Sequence, residues 1–140
     1  MAVVNRNTIR AVVESRLATE LANSPALPVV FHNISYAPTP NSSWVQCLTS
    51  FGSGEYLTQG LLSNASNRIV GVAVMNIFTP QGVGVGANFT IAKRIRDLYN
   101  RLIVSGVYFD APIGPEVVSA SPEGYFQTQV RVTFEFIEEL

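Results

Sequence analysis

Residues 68–101 read Arg68-Ile-Val-Gly-Val-Ala-Val-Met-Asn-Ile-Phe78, then Thr79-Pro-Gln-Gly-Val-Gly-Val-Gly86, then Ala87-Asn-Phe-Thr-Ile-Ala-Lys-Arg-Ile-Arg-Asp-Leu-Tyr-Asn-Arg101. The first block is a strand with almost no polar side. Val70, Val72, Val74, Asn76 and Phe78 share one face, and Ile69, Gly71, Ala73, Met75 and Ile77 share the other. Such a strand belongs in the middle of a sheet, and small Gly71 and Ala73 would let a helix pack close. The last block, Ala87 to Leu102, has helical spacing, with Ile91, Ile95, Leu98 and Leu102 inward and Lys93, Arg94, Arg96, Asp97 and Arg101 mostly outward.

The glycine turn between them has two readings. Gly82, Gly84 and Ala87 fit Gly-x-Gly-x-x-Ala between a strand and a helix, the pattern of a dinucleotide-binding loop, with Asp110 as a ribose-binding acid. Asp110 stands further from the glycines than the usual ~20 residues, and no lysine follows them as in a P-loop. The preferred reading is a turn of unusual backbone angles in which Pro80, Gly82, Gly84 and Gly86 lead the chain into the helix.

Upstream, Asn7 or Thr8 can cap a helix whose Ile9, Val12, Val13, Leu17 and Leu21 recur at helical spacing, ending before Pro25 and Pro28. Val29 to Asn33 is a short strand candidate, and Ala37 to Ser43 a proline-stiffened loop. Ser43 to Phe51 alternates Trp44, Gln46 and Leu48 against Val45, Cys47 and Thr49, so both its faces want cover. Gly52 to Asn67, rich in Gly, Ser and Asn around Tyr56, Leu57, Leu61 and Leu62, is predicted as a projecting arm. Downstream, Val107 to Phe109 and Glu116 to Ala120 are expected as short strands paired across Asp110 to Pro115. Tyr125 to Phe136 alternates cleanly, with Phe126, Thr128, Val130, Val132, Phe134 and Phe136 on one face. The expected fold is α+β in two layers: one mixed, largely antiparallel sheet with two main helices on one face, forming a single domain over residues 1–140.

Composition narrows the function. The 140 residues are 47% hydrophobic and 14% charged with a net charge of -1. Disorder is excluded, no field attracts nucleic acid, and apolar surface is left for partners. No uncharged apolar run approaches the ~20 residues that span a bilayer. The single Cys47 and single His32 rule out an internal disulfide and make a zinc site implausible. Cys47 reads as a buried thiol and His32 as a strand residue, with no nucleophile motif beside it. Glu14 with Glu20, Glu116 with Glu123, and Glu135 with Glu138 and Glu139 read as solvated carboxylates rather than an acid-base pair. Sequons at Asn33, Asn41, Asn64 and Asn88 accompany an N-terminus without an apolar leader, and are read as by-products of Asn- and Ser-rich loops. No catalytic residue, cofactor or metal is expected.

The order of features carries a resemblance. Ile9-Arg-x-x-Val-Glu-x-Arg-Leu17 is followed by Val-Val-Phe-His-Asn33, Trp44-Val-Gln-Cys-Leu48 and a Gly-rich arm. Gly71-Val-Ala-Val-Met-Asn-Ile-Phe-Thr-Pro-Gln-Gly-Val-Gly84 with its helix comes next, and Gly124-Tyr-Phe-Gln-Thr-Gln-Val-Arg-Val-Thr-Phe134 closes the chain. This resembles the tail terminator proteins of long-tailed bacteriophages, the broad group that includes the lambda minor tail protein U. The resemblance implies a non-enzymatic virion subunit at the tail-neck junction, made in the host cytoplasm. It would assemble as a homo-oligomeric, hexameric ring on the tail tube, stop tube growth and present a surface to the head-completion or connector protein. It implies no membrane and no sequence-specific nucleic acid, although DNA would pass through the lumen. Another neck or connector protein, or a small nucleotide-binding enzyme using the glycine turn, are the alternatives. Tyr56 in the arm and Arg94 and Arg101 on the second helix are the candidate interface residues; Trp44 and Phe51 are aromatics that either anchor an interface or close the core.

Overall fold

The computed structural model describes residues 6–23, 26–31, 42–56, 66–82, 84–119, 122 and 124–139, with only the backbone described at 53–56, 66–67 and 138–139. In chain order the elements are α1 (Arg6–Ala22), β1 (Val29–Phe31), β2 (Trp44–Tyr56), β3 (Ser66–Pro80), α2 (Gly86–Tyr99), β4 (Ile103–Val104), β5 (Val107–Phe109), β6 (Ile113–Val118) and β7 (Tyr125–Glu139). One mixed sheet runs β1-β2-β3-β7-β5-β4, with β6 also paired to β7. Only β1 and β2 run parallel among the described pairs. The fold is α+β, as the patterning predicts.

The core lies between one sheet face and the two helices. Val45, Cys47, Ile69, Ala73, Met75, Ile77, Val130, Val132, Phe134 and Phe136 point into it from the strands. From α1 come Ile9, Val13, Leu17 and Leu21, one stripe at i, i+4, i+8 and i+12. From α2 come Ile91, Ala92, Ile95 and Tyr99. The expected Val12, Leu98 and Leu102 are only half-buried; the inward position belongs to Tyr99, whose hydroxyl donates to the Val13 carbonyl at 2.7 Å. A buried phenol needs that partner, because an orphaned hydroxyl would cost about 1–3 kcal/mol.

Several expectations are corrected. The second helix ends at Tyr99, three residues before Leu102, so Arg101 sits past the helix at φ 52° rather than on it. β2 and β3 extend into the segment read as an arm: Tyr56 pairs with Asn67, and a register shift between Phe51 and Gly54 marks a bulge. Residues 57–65 of that segment lie outside the described residues, as do His32, Asn33, Asn41 and Asn64. β6 does not form a hairpin with β5. Both lie along the same edge of β7, β5 against Phe134 to Phe136 and β6 against Gln127 to Arg131. The reason is length: the 15 residues of β7 leave most of an edge open beyond the three of β5. The Asp110 amide donates to the Thr133 carbonyl at 2.9 Å, keeping the chain on that edge.

Gly71 makes a close approach possible, but toward the sheet rather than a helix. A Cβ there would lie 2.6 Å from the Phe134 ring and 2.7 Å from the Ser50 carbonyl oxygen. Phe134 in turn meets Phe51 edge-on at 5.9 Å between centroids, closing that end of the core.

Candidate functional site

The glycine turn takes backbone angles that glycine alone adopts without strain. Gly82 and Gly84 have φ of 92° and 81°, the left-handed region where a side chain is strained. The helix beyond starts without a side-chain cap at Val85. Asp110 is far from it: its carboxylate accepts from Thr133 Oγ1 at 2.8 Å, and Thr133 is opposite Val72, eight residues before Pro80 on β3. At about 3.3 Å per residue the separation along the strand is roughly 26 Å. A nucleotide held at the glycines has no ribose acid at Asp110.

What ties α2 to the sheet is Asn88, fully buried. Its amide nitrogen donates to the Ile77 carbonyl at 3.1 Å, Thr79 Oγ1 at 3.2 Å and the Phe126 carbonyl at 3.4 Å, while its oxygen accepts from Thr128 Oγ1. In the sequence Asn88 stands out only as a sequon. A side chain so enclosed is closed to glycosylation.

Two further buried groups have shifted protonation. Burial, with a smaller contribution from the Glu14 charge, pushes the Cys47 thiol up to about 12, so it stays protonated and unreactive at neutral pH. Burial also raises Tyr99 well above its ordinary range. Among the described residues no three His, Cys, Asp or Glu side chains gather to hold a metal ion. No described helix is long and apolar enough to cross a membrane.

Two surfaces remain. The first is the sheet face opposite the helices. At one end Trp44 stacks on Phe78 at 4.2 Å between centroids, and Tyr125 meets both rings edge-on. Beside them Asn76 joins three strands: its nitrogen donates to Gln46 at 3.2 Å, and its oxygen accepts from Gln127 and Gln129, each at 3.1 Å. Then comes a half-buried strip of Leu48, Val70, Val72 and Val74. Val70, Val72, Ser50 and Phe51 line a hollow of about 300 Å³ on it. The rim is ionic: Arg131 to Glu116 at 2.8 Å and Arg68 to Glu135 at 2.6 Å. Exposed pairs of this kind contribute about 0–1 kcal/mol each. At the sheet edge Ile103, Tyr108, Ile113, Val117 and Ile137 are exposed, Ile103 by 66% and Val117 by 62%. Among the described residues both helices lie on the other side of the sheet.

The second surface is the groove between α1 and α2. Two adjoining hollows of about 240 and 470 Å³ share Arg16, Glu20 and Leu98. Arg94 spans the groove, donating to the Glu20 carbonyl at 2.8 Å and toward its carboxylate at 3.4 Å. Of the three candidate interface residues, Arg94 is thus engaged within the chain, with a side chain only 16% exposed. Arg101 is exposed on the turn after α2. The side chain of Tyr56 lies outside the described ones. β2 carries Tyr56, α2 carries Arg94, and the turn after α2 carries Arg101.

A two-helix layer on one face of a mixed, mainly antiparallel sheet, with no reactive centre among the described residues, defines a small α+β scaffold. A solved structure matches it with a TM-score of 0.71, covering 95% of this chain and 96% of that one at 17% identity; at that identity the likeness speaks for the fold. No curated protein matches the chain. The family model for phage tail terminator proteins matches residues 8–111, and the chain belongs to that family. It is therefore a structural component of a bacteriophage tail, with partners in the tail.

Proposed function

We propose that the chain closes the tail by assembling as a ring, six copies round, on the end of the tail tube. One side of the ring matches the tube end. The other denies the next tube subunit its edge and offers a surface to the head-completion protein. Membership of the terminator family supports a role at the tail end. The observation that carries the assembly reading is the sheet face that bears no helix among the described residues, where Leu48 on β2 and Val70, Val72 and Val74 on β3 form a half-buried apolar strip. A strand apolar on both sides is stable when both sides are covered, and a neighbour in a ring supplies cover without any further domain. A low charged fraction, 14% of 140 residues, suits a subunit that buries much of its surface. Tyr56, Arg101 and the segment around residues 52–67 remain our candidates for contact with neighbours or tube, with Arg94 holding the helical layer in shape.

Electron microscopy of particles made without this gene tests the proposal. Overlong tails beside separate filled heads are expected. Tails of normal length, detached from heads, would assign the protein to another neck position, and intact virions would remove it from assembly.

A further inference from the structure

The net charge of -1, which gives the whole chain no field for nucleic acid, hides a split between its layers. Seven of the nine cations but only three of the ten acids lie on α1, α2 and the turn after α2, a net of +4, and the rest of the chain carries -5. Val13 meets Tyr99 and Glu20 meets Arg94, so the helices run antiparallel, and the first half of α1 lies beside the last half of α2 with its Lys93, Arg94 and Arg96. Within the groove the charges balance, Arg16 and Arg94 against Glu20 and Asp97. The excess is therefore on the outer surface. Arg6, Arg10, Lys93, Arg96 and Arg101 are exposed, and the remaining acid of the layer, Glu14, is half-buried beside Arg10.

The kind of partner follows from what this surface lacks. Protein interfaces are built round apolar or aromatic anchors at a desolvated centre. Between the cations, the exposed positions are Asn7, Ala11, Ser15 and Thr19 along α1, and Asp97 and Asn100 at the end of α2. Among the described residues the exposed large apolar side chains stand elsewhere, on β4 to β7 and at the start of α2. Charge with small polar groups and no anchor suits a partner held by charge alone. Four of the five exposed cations are arginines, whose planar fork matches phosphate oxygens. The exposed pairs Arg10 to Glu14 and Lys93 to Asp97 are weak and yield to a phosphate.

We propose that the outer face of the helical layer binds the phosphate backbone of double-stranded DNA, without sequence preference, through Arg10, Lys93 and Arg96. Contacts to phosphate position a protein on the duplex and read no bases. The inference does not depend on the ring reading, since a single copy carries the whole face.

Fluorescence anisotropy of a labelled short duplex of arbitrary sequence, titrated with the full chain between about 50 and 200 mM salt, tests the contact. If the net excess of the layer neutralises about four phosphates, log K against log salt should slope at about -3.6, a loss of roughly a hundredfold over that range. The triple change Arg10→Gln, Lys93→Gln and Arg96→Gln, with circular dichroism confirming the fold, is expected to flatten the slope to about -1. Arg131→Gln, on the sheet face, should leave it as it is. No binding by the wild type at the lowest salt, or a slope that the triple change does not alter, would overturn the proposal. So would a loss from Arg131→Gln matching that from one helical cation, which would make binding a matter of total charge. Polyglutamate competing as well as unlabelled duplex at equal charge would assign the face to an acidic protein instead, overturning it as well.

Discussion

Replacing Asn88 by Ala is expected to loosen α2 from the sheet. The substitution removes two N–H donors shared among three acceptors, and one accepted bond, at a site with no solvent access. The Thr128 hydroxyl loses its acceptor, the Thr79 oxygen loses a donor, and the Ile77 and Phe126 carbonyls lose a second partner. Leaving a buried polar group unsatisfied costs about 1–3 kcal/mol, and the carbonyls count for less because strand pairing still engages that region. The total is about 2–4 kcal/mol. At this chain length 1 kcal/mol moves Tm by roughly 3–4 °C, giving a fall of about 6–16 °C in a thermal melt, with a matching shift in urea midpoint at constant slope. Asn88→Asp should be worse, because it puts carboxylate oxygens where amide hydrogens face two carbonyls. Thr128→Val in the Asn88→Ala background should cost less than in the wild type, since the hydroxyl has already lost its acceptor. A loss below about 0.5 kcal/mol for Asn88→Ala, the range of surface changes, would refute the account of how α2 is held.

Gly71→Ala forces a Cβ against the Phe134 ring and the fixed Ser50 carbonyl, and should cost about 1–3 kcal/mol by chemical denaturation; Phe134→Leu in the same chain should recover part of it. The raised Cys47 thiol gives stability a pH dependence: above the ordinary thiol pKa of 9.0 the unfolded chain releases a proton that the folded one keeps until about 12. Stability therefore falls as pH rises through that window, with no effect below it, and Cys47→Ala should flatten the cysteine's share of the slope in melts from pH 8 to 11. Arg101→Glu, on an exposed turn, should leave Tm unchanged and weaken assembly on tail tubes; intact assembly would remove Arg101 from the interface.

How far the sequence could be read depended on whether its information was local. Periodicity gave both helices, the central β3 and the alternating β7 directly, because burial on one face imposes period 3.6 or 2 on the side chains themselves. From these follow the α+β class and the helical layer. The order of elements also carried the likeness to tail terminators, since a structural family keeps a layout of strands, turn and helix. Local pattern could not tell that β6 leaves β5 for the same edge of β7. That choice depends on how much edge a strand far along the chain leaves open.

The residues that matter most to the candidate site were hidden for the same reason. Asn88 looks like a sequon in a polar stretch, and only the meeting of β3, β7 and α2 turns it into a buried tie with four partners. Arg16 reads as part of a solvated helix face, and becomes a half-buried cation only when α2 packs against α1 and closes a groove over it. Arg94 looks like a free surface charge until Glu20, 74 residues earlier, meets it. Sequence by itself determined which stretches coil, which extend and which side of each is apolar, because those follow from neighbours along the chain. Tertiary structure decided which polar groups are satisfied and which are left wanting a partner, because hydrogen bonds and charges are settled between residues that only folding brings within 3–4 Å.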